Sequence, residues 1–209
     1  PELQGDSLRP MIEGLSAGYD FDVVNTDVIL NRMESKDGKI VFPDGLKYQL
    51  LVLPDIEDIP DVVIEKVEKL IEAGANVLVQ NTEVAQKIKG KILTNRTIDN
   101  ALNELSIAKD FIRDEDKIDF IHRNVDGIDI YFVSNKTNES IFETVTFRAS
   151  NQQVEYWSPV TSEQFKMTDA KSDGQSTEVK LQLAPRGSAF IVFSKEDRGL
   201  QNLTTPSRS

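Results

Sequence analysis

The chain contains no cysteine and a single histidine, His122. Without a thiol, disulfides, thiolate metal sites and cysteine nucleophiles are excluded. With one imidazole, a nucleophilic triad has a single candidate base, and a zinc site lacks ligands. The sequence also lacks a Gly-rich phosphate loop, a G-x-S-x-G turn and an apolar run of the roughly 20 residues that a membrane helix needs. We therefore expect no cofactor and no membrane span.

Acidic residues outnumber basic ones, 35 to 24, which gives a formal net charge of -11. This field repels a phosphate backbone, so nucleic acid is not an expected partner. Hydrophobic residues make up 39% of the 209 residues, which is enough for one large folded domain or two small ones. Because the chain opens at Pro1 without an initiator methionine, we expect it to be a segment of a longer protein.

The first half of the chain alternates helix and strand patterns. Residues 8–18 show helical apolar spacing, and residues 19–25 are predicted to form a strand. Residues 50–53 are a continuous apolar run, typical of a strand buried on both faces, and residues 76–80 predict a second strand. The amphipathic stretch between them predicts a helix, so the three elements form a βαβ crossover and a parallel sheet.

From residue 118 onward, the apolar residues recur with a period of two. The Asp126-Gly127 pair predicts a tight hairpin turn, and residues 178–183 alternate in the manner of a half-buried antiparallel strand. About seven short strands in about 80 residues predict a β-sandwich. The predicted domains are therefore an α/β domain over residues 1–113, a β-sandwich over 114–196 and a polar tail or linker over 197–209.

Three residues are candidates for framing a substrate: His122, Arg123 and Trp157. His122 alternates in register with Ile118 and Phe120, so its side chain is expected on the same face of the strand as these apolar residues. This favours a packed or hydrogen-bonded strand histidine over a ligand contact, and Arg123 is expected on the opposite face. Trp157 could stack on a sugar, although a lone tryptophan at a strand end is more typical of a core or an interface. With 35 acidic residues, no pair can be singled out as glycosidase carboxylates, and no catalytic residue is assigned.

An acidic loop, residues 54–61, follows the first predicted parallel strand. Its oxygen ligands could bind calcium at the carboxyl end of the sheet. The alternative is that Asp58 caps the following helix and Asp61 favours its N-terminus electrostatically. We prefer the second interpretation and expect no metal site.

Eight short phrases occur in a characteristic order: DFDVVN (20–25), DGKI (37–40), YQLLVLP (48–54), EAGA (72–75), FIHR (120–123), DIYFVSN (129–135), YWSP (156–159) and LAPRGS (183–188). In this order and spacing they resemble the region after the catalytic barrel of large bacterial α-L-rhamnosidase-like enzymes, glycoside hydrolase family 106. The resemblance covers most of residues 15–194.

The resemblance implies a parent enzyme that hydrolyses rhamnosidic bonds in plant polysaccharides or glycosides with an acid and a base on a (β/α)₈ barrel. This chain is too short to include that barrel. It would supply two non-catalytic modules, a flavodoxin/amidotransferase-like parallel α/β domain followed by an antiparallel β-sandwich. Amidotransferase chemistry is excluded, because its cysteine is absent.

The resemblance also implies a periplasmic or extracellular location, with the catalytic barrel of the parent, and a carbohydrate, as partners. Two alternatives remain open. The chain could be a free-standing carbohydrate-binding or protein-interaction module, or a small hydrolase that uses carboxylates alone.

Overall fold

The computed structural model describes residues 18–150 and 153–203. The helix predicted over residues 8–18 lies outside this part of the chain, apart from its last residue. By packing, the chain divides into two compact units. One is Phe21–Ala108, and the other joins residues 18–20 to the described residues from 109 onward. Along the described chain, the first unit therefore lies between two segments of the second.

The first unit mixes helices with two three-stranded sheets. Its helices are α1 (Thr26–Arg32), α2 (Asp61–Glu72), α3 (Thr82–Lys87) and α4 (Ile98–Glu104). Its strands are β1 (Glu34–Lys36), β2 (Lys39–Val41), β3 (Lys47–Tyr48), β4 (Leu51–Leu53), β5 (Val77–Val79) and β6 (Leu93–Thr94). The first three strands form an antiparallel sheet in the order β1-β2-β3, and the last three form a parallel sheet in the order β4-β5-β6.

The predicted βαβ crossover is confirmed. β4 pairs in parallel with β5, with Leu51 opposite Val77, and α2 connects the two strands. β5 is buried along its whole length, as a central strand of a parallel sheet must be. However, Pro60 occupies the N-cap of α2 and no side chain caps the helix, so the prediction of Asp58 as the cap was wrong.

The strand predicted over residues 19–25 was also wrong, since no ladder forms there. Its polar side chains bond elsewhere. Asn25 is the N-cap of α1 and accepts a hydrogen bond from the Val28 N–H at 3.0 Å, while Asp22 accepts one from the Tyr48 hydroxyl. Asp and Asn side chains that bond locally compete with sheet formation, which explains the failed prediction.

The second unit is a β-sandwich of a six-stranded and a four-stranded sheet that share one apolar core. Its strands are β7 (Phe111–Ile112), β8 (Ile118–Val125), β9 (Ile128–Asn135), β10 (Ile141–Phe147), β11 (Gln153–Trp157), β12 (Gln164–Met167), β13 (Lys171–Ser172), β14 (Thr177–Leu183), β15 (Ser188–Ser194) and β16 (Asn202–Leu203). The strand orders are β13-β14-β10-β7 and β16-β12-β11-β15-β9-β8.

The turn between β8 and β9 fixes the register of that hairpin. Asp126 and Gly127 both have positive φ, 52° and 83°, as a two-residue type I′ turn requires. His122 therefore pairs with Tyr131. Even-numbered residues of β8 and odd-numbered residues of β9 face the core, which Ile118, Tyr131 and Val133 help to fill.

The division into units differs from the predicted domain limits in three places. Residues 18–20 and 109–113 pack with the sandwich rather than with the α/β unit. In the segment predicted as a polar tail or linker, β16 pairs in parallel with β12. Among the described residues, no helix is long and apolar enough to span a membrane.

The two segments of the sandwich unit that flank residues 21–108 are hydrogen-bonded to each other at Gly18. Its carbonyl accepts hydrogen bonds from the N–H groups of Asp110, at 2.8 Å, and Phe111, at 3.1 Å. Gly18 has φ +110°, and a Cβ atom there would collide with the Phe111 carbonyl oxygen. Only glycine fits this close approach of two backbone segments.

We predict that Gly18→Ala lowers the free energy of unfolding of the sandwich by at least about 2 kcal/mol, from left-handed strain together with the collision. Gly127→Ala is the matched control, because Gly127 also has positive φ but a Cβ there meets nothing within 4 Å. This variant should lower the free energy of unfolding by about 1 kcal/mol, because only the left-handed backbone conformation disfavours alanine there. Urea unfolding followed by the fluorescence of Trp157, the sole tryptophan, reports on the sandwich. Equal losses in the two variants would contradict the close approach at Gly18.

Candidate functional site

His122 lies on the core face of β8, where its ring stacks on that of Tyr131 with centroids 4.1 Å apart and planes 4° from parallel. Its side chain is 10% exposed. The Tyr131 hydroxyl donates to the Arg148 carbonyl at 3.3 Å, across to the other sheet. The structure thus makes His122 a packed, hydrogen-bonded strand histidine at the edge of the core.

Each ring nitrogen of His122 faces a carboxylate. Nδ1 lies 3.0 Å from Oδ1 of Asp110, which precedes β7, and Nε2 lies 3.0 Å from Oδ1 of Asp129 in β9. The Asp110 and Asp129 side chains are only 12% and 15% exposed. Asn124 donates to the same Asp129 oxygen at 2.7 Å. Because an ionised carboxylate only accepts hydrogen bonds, these contacts favour the charged form of the ring, in which both nitrogens donate.

Two further groups extend this arrangement. The Arg148 guanidinium forms an ion pair with Asp110. Asp20 donates its backbone N–H to Oδ2 of Asp110 at 3.2 Å and accepts, through its own Oδ2, the N–H of His122 at 3.2 Å. Asp20, Asp110, His122, Asp129 and Arg148 are called the His122 cluster below. All five belong to the sandwich unit.

The cluster shifts the pKa of its members in a consistent direction. Burial alone would lower the pKa of His122, but the hydrogen bonds to Asp110 and Asp129 outweigh it and raise the pKa above the ordinary value of 6.5. Burial alone would raise the pKa of both carboxyls, yet the hydrogen bond from His122 and the charge of Arg148 hold each below the ordinary 3.8. The three groups therefore stabilise one another in their charged forms.

An imidazolium held between two carboxylates is a poor proton carrier. In this charged form both nitrogens are protonated, so neither has a lone pair with which to act as a base. Its acidity is reduced by the same contacts, because losing a proton leaves a buried carboxylate without a donor. The geometry therefore suits a structural role, in which charges at the end of the core hold the two sheets and the chain segment at Asp20 together.

The three predicted framing residues do not converge on one site. Arg123 and Trp157 lie on the face of the six-stranded sheet opposite to His122. Arg123 donates to Asp20 at 2.9 Å. The Trp157 indole donates to the buried Glu155 at 2.7 Å, and the Arg198 guanidinium lies 4.8 Å from the centre of the indole ring. A framing role for any one of them stays a prediction.

The sequence analysis did not identify the acidic partners of His122, although a local pattern could have predicted one of them, Asp129. The Asp126-Gly127 turn fixes the hairpin register, and this register places Asp129 on the same face as His122. The other members carry no local signal. Asp20 and Asp110 are separated by 90 residues, and Asp110 and Arg148 by 38.

The acidic loop that follows β4 shows no calcium-like arrangement. Asp55 accepts a hydrogen bond from the Asn81 side chain at 2.8 Å, and Asp61 lies in the first turn of α2, where a negative charge is favourable. Within residues 18–150 and 153–203, no group of three or more His, Asp or Glu side chains is placed to hold a metal ion.

Comparison with known proteins identifies the family. The family model described as alpha-L-rhamnosidase, glycoside hydrolase family 106, matches residues 8–86 and 78–169, which is more than half of the chain. The chain belongs to the α-L-rhamnosidase family. The resemblance of the ordered sequence phrases is thereby confirmed.

Two solved structures share the fold of this α-L-rhamnosidase-family chain. The rhamnosidase from Novosphingobium sp. PP1Y matches with a TM-score of 0.74 at 21% identity, over 90% of this chain and 21% of that one. The apo exo-carrageenase GH42 from Bacteroides ovatus matches with a TM-score of 0.54 at 15% identity, over 91% of this chain and 27% of that one.

A sequence relative is a protein of Formosa agariphila provisionally named a β-glucuronidase. It is 30% identical over 224 residues, which cover 95% of this family member and 19% of the relative. The chain thus spans about a fifth of the length of the Formosa agariphila protein and of the Novosphingobium rhamnosidase.

We predict that the stabilising effect of His122 depends on pH. Because the folded pKa is raised above 6.5, the contribution is fully present below about pH 6.5 and is lost as the pH rises through the folded pKa. His122→Gln should therefore lower the free energy of unfolding by about 3 kcal/mol at pH 5.5, the usual cost of breaking a buried charge pair, and by less at pH 9.

Urea unfolding at the two pH values, followed by Trp157 fluorescence, measures this difference. Asp119→Asn is the control, because Asp119 lies on the same strand, is 67% exposed and pairs with Lys136 rather than with His122. It should cost at most about 1 kcal/mol, equally at both pH values. A larger loss at pH 9 than at pH 5.5 in His122→Gln would overturn the charged assignment.

Proposed function

We propose that this chain supplies two non-catalytic ancillary modules, an α/β unit and a β-sandwich, to a larger bacterial glycoside hydrolase of the α-L-rhamnosidase type. The parent would act on rhamnosidic bonds of plant polysaccharides or glycosides. The observation that carries the proposal is that the chain spans about a fifth of the length of the relatives that it matches. The one imidazole agrees with it, because both ring nitrogens of His122 are in contact with the carboxylates of Asp110 and Asp129.

The concave surface of the α/β unit supports the same proposal. A shallow groove between α1 and α2 is lined by Leu30, Asn31, Val62, Glu65, Lys66 and Lys69. Glycoside hydrolysis needs two carboxyl groups that flank the scissile bond, and Glu65 is the single carboxylate of this groove. This groove therefore lacks the carboxyl pair of a glycosidase.

For the α/β unit, we propose a flavodoxin/amidotransferase-like fold. The support is the parallel β4-β5-β6 sheet with α2 as its crossover. Amidotransferase activity itself is excluded by the absence of cysteine. A crystal structure of the longer protein whose α/β unit lacked further parallel strands or flanking helices would contradict this assignment.

The proposed partner is the catalytic barrel of the parent polypeptide, with carbohydrate as its substrate, and the proposed location is periplasmic or extracellular. Two observations support these proposals: the chain covers only about a fifth of the length of its relatives, and it belongs to the α-L-rhamnosidase family. Cell fractionation that found the longer protein in the cytoplasm would contradict the location.

We predict that residues 1–209 alone release no p-nitrophenol from p-nitrophenyl α-L-rhamnopyranoside, whereas the longer polypeptide does, because the acid and base lie outside this chain. Matched molar amounts are compared in a continuous colour assay. Turnover by residues 1–209 would overturn the non-catalytic role. Turnover of a β-glucuronide but not of the rhamnoside by the longer polypeptide would overturn the substrate class while leaving the ancillary role intact.

A further inference from the structure

Residues 195–201 connect β15 to β16, which lie on opposite sides of β11 and β12 in the six-stranded sheet. The sheet order is β16-β12-β11-β15, so this connection has to pass two strands before β16 can pair with β12. Neighbouring strands are about 4.8 Å apart, so the connection spans about 14 Å. Residues 195–201 are called the strap below, and they belong to the sandwich unit.

Beside the strap, the outer face of the sheet carries a buried carboxylate. Glu155 in β11 pairs with Val192 in β15. Both alternate along their strands with residues that fill the core, so their side chains point to the outer face. Each is nevertheless only 2% exposed. A carboxylate shielded from water to this extent needs a partner that compensates its charge.

The strap supplies that partner through Arg198. Its Nε donates to Oε1 of Glu155 at 3.1 Å, and its Nη2 forms an ion pair with Oε2. The same guanidinium lies 4.8 Å from the centre of the Trp157 ring, and the indole N–H donates to Oε2 of Glu155 at 2.7 Å. The three side chains therefore stabilise one another, and Arg198 covers one face of the indole.

The other contacts of the strap are weaker than the one made by Arg198. Asp197 forms an ion pair with Lys166 of β12 at 2.7 Å, with side chains that are 55% and 27% exposed. The Gln201 carbonyl accepts a hydrogen bond from the Lys166 N–H at 2.8 Å. Most residues of the strap are exposed, so burial of their side chains contributes little. The pair with Glu155 is therefore the main interaction that holds the strap on the sheet.

We propose that the Arg198–Glu155 pair holds the strap closed, and that the strap opens together with the β12–β16 edge of the sheet while the sandwich core stays folded. Strands β9 and β15 are each paired on both sides within the sheet, so they belong to the more stable part of the sandwich. In the closed form, Trp157 anchors the strap instead of presenting the covered face of its ring to a sugar.

Hydrogen exchange of backbone amides, read by mass spectrometry on residues 1–209, tests the proposal. Arg198→Met keeps a long side chain but leaves the buried Glu155 without its cation, so peptides from β12 and β16 should exchange at least about tenfold faster. Peptides from β9 and β15 should exchange at an unchanged rate. Asp197→Asn is the matched control. It removes the exposed partner of Lys166 and should change the exchange of β12 and β16 by less than about fivefold.

A double substitution separates the charge from the packing. Glu155→Met combined with Arg198→Met leaves no unpaired charge on the outer face. Exchange of β12 and β16 should return to within about fivefold of the original rate, because apolar side chains of similar volume can replace a buried ion pair. Exchange that stays as fast as in Arg198→Met alone would contradict the role of the charge pair.

The unaltered chain provides a test that does not depend on the folding of a variant. In low concentrations of urea, the amides of β12 and β16 should exchange through one shared opening that has a lower free energy than the opening of β9 and β15. Exchange of β12 and β16 only together with β9 and β15 would overturn the proposal. So would unchanged exchange of β12 and β16 in Arg198→Met, or an equal rise in all four strands.

Discussion

The sandwich of this protein depends on the contacts of the His122 ring with the carboxylates of Asp110 and Asp129. His122 lies between Asp110 and Asp129 at 3.0 Å on each side, and Arg148 adds a second positive charge to Asp110. Each charge is costly to bury alone, so the members are stable only as a set. Since Asp20 and Asp110 lie beside the boundaries of the segment Phe21–Ala108, the same charges hold the chain where it leaves the sandwich and where it returns.

This use of the histidine agrees with the proposed non-catalytic role of the chain. Rhamnosidase-type hydrolysis needs a carboxyl pair around a bond in a cleft, whereas the charges of the His122 cluster are directed at one another at the end of an apolar core. Membership of the α-L-rhamnosidase family and a short span relative to the family's longer members then agree with a supporting role beside a catalytic domain.

Local patterns predicted much of the fold, and long-range contacts account for what they missed. The βαβ crossover and the β8–β9 hairpin follow from apolar periodicity and from the Asp126-Gly127 turn, both of which act within about 30 residues. The strand predicted over residues 19–25 failed because Asn25 caps a helix locally, while Asp20 bonds to Asp110 and His122, which lie 90 and 102 residues away in the sequence. The alternating strand pattern placed His122 among apolar neighbours. Its charge state depends on Asp110 and Arg148, whose proximity no sequence pattern predicts.

The charged state of His122 can be measured directly, because it is the only histidine in the chain and its signals need no assignment. In ¹⁵N-histidine-labelled protein, two-bond ¹H–¹⁵N spectra distinguish an imidazolium from either neutral tautomer. We predict that the titration midpoint lies above the ordinary 6.5 and that both ring nitrogens carry a proton at any pH below it. A midpoint below 6.5 would contradict this assignment.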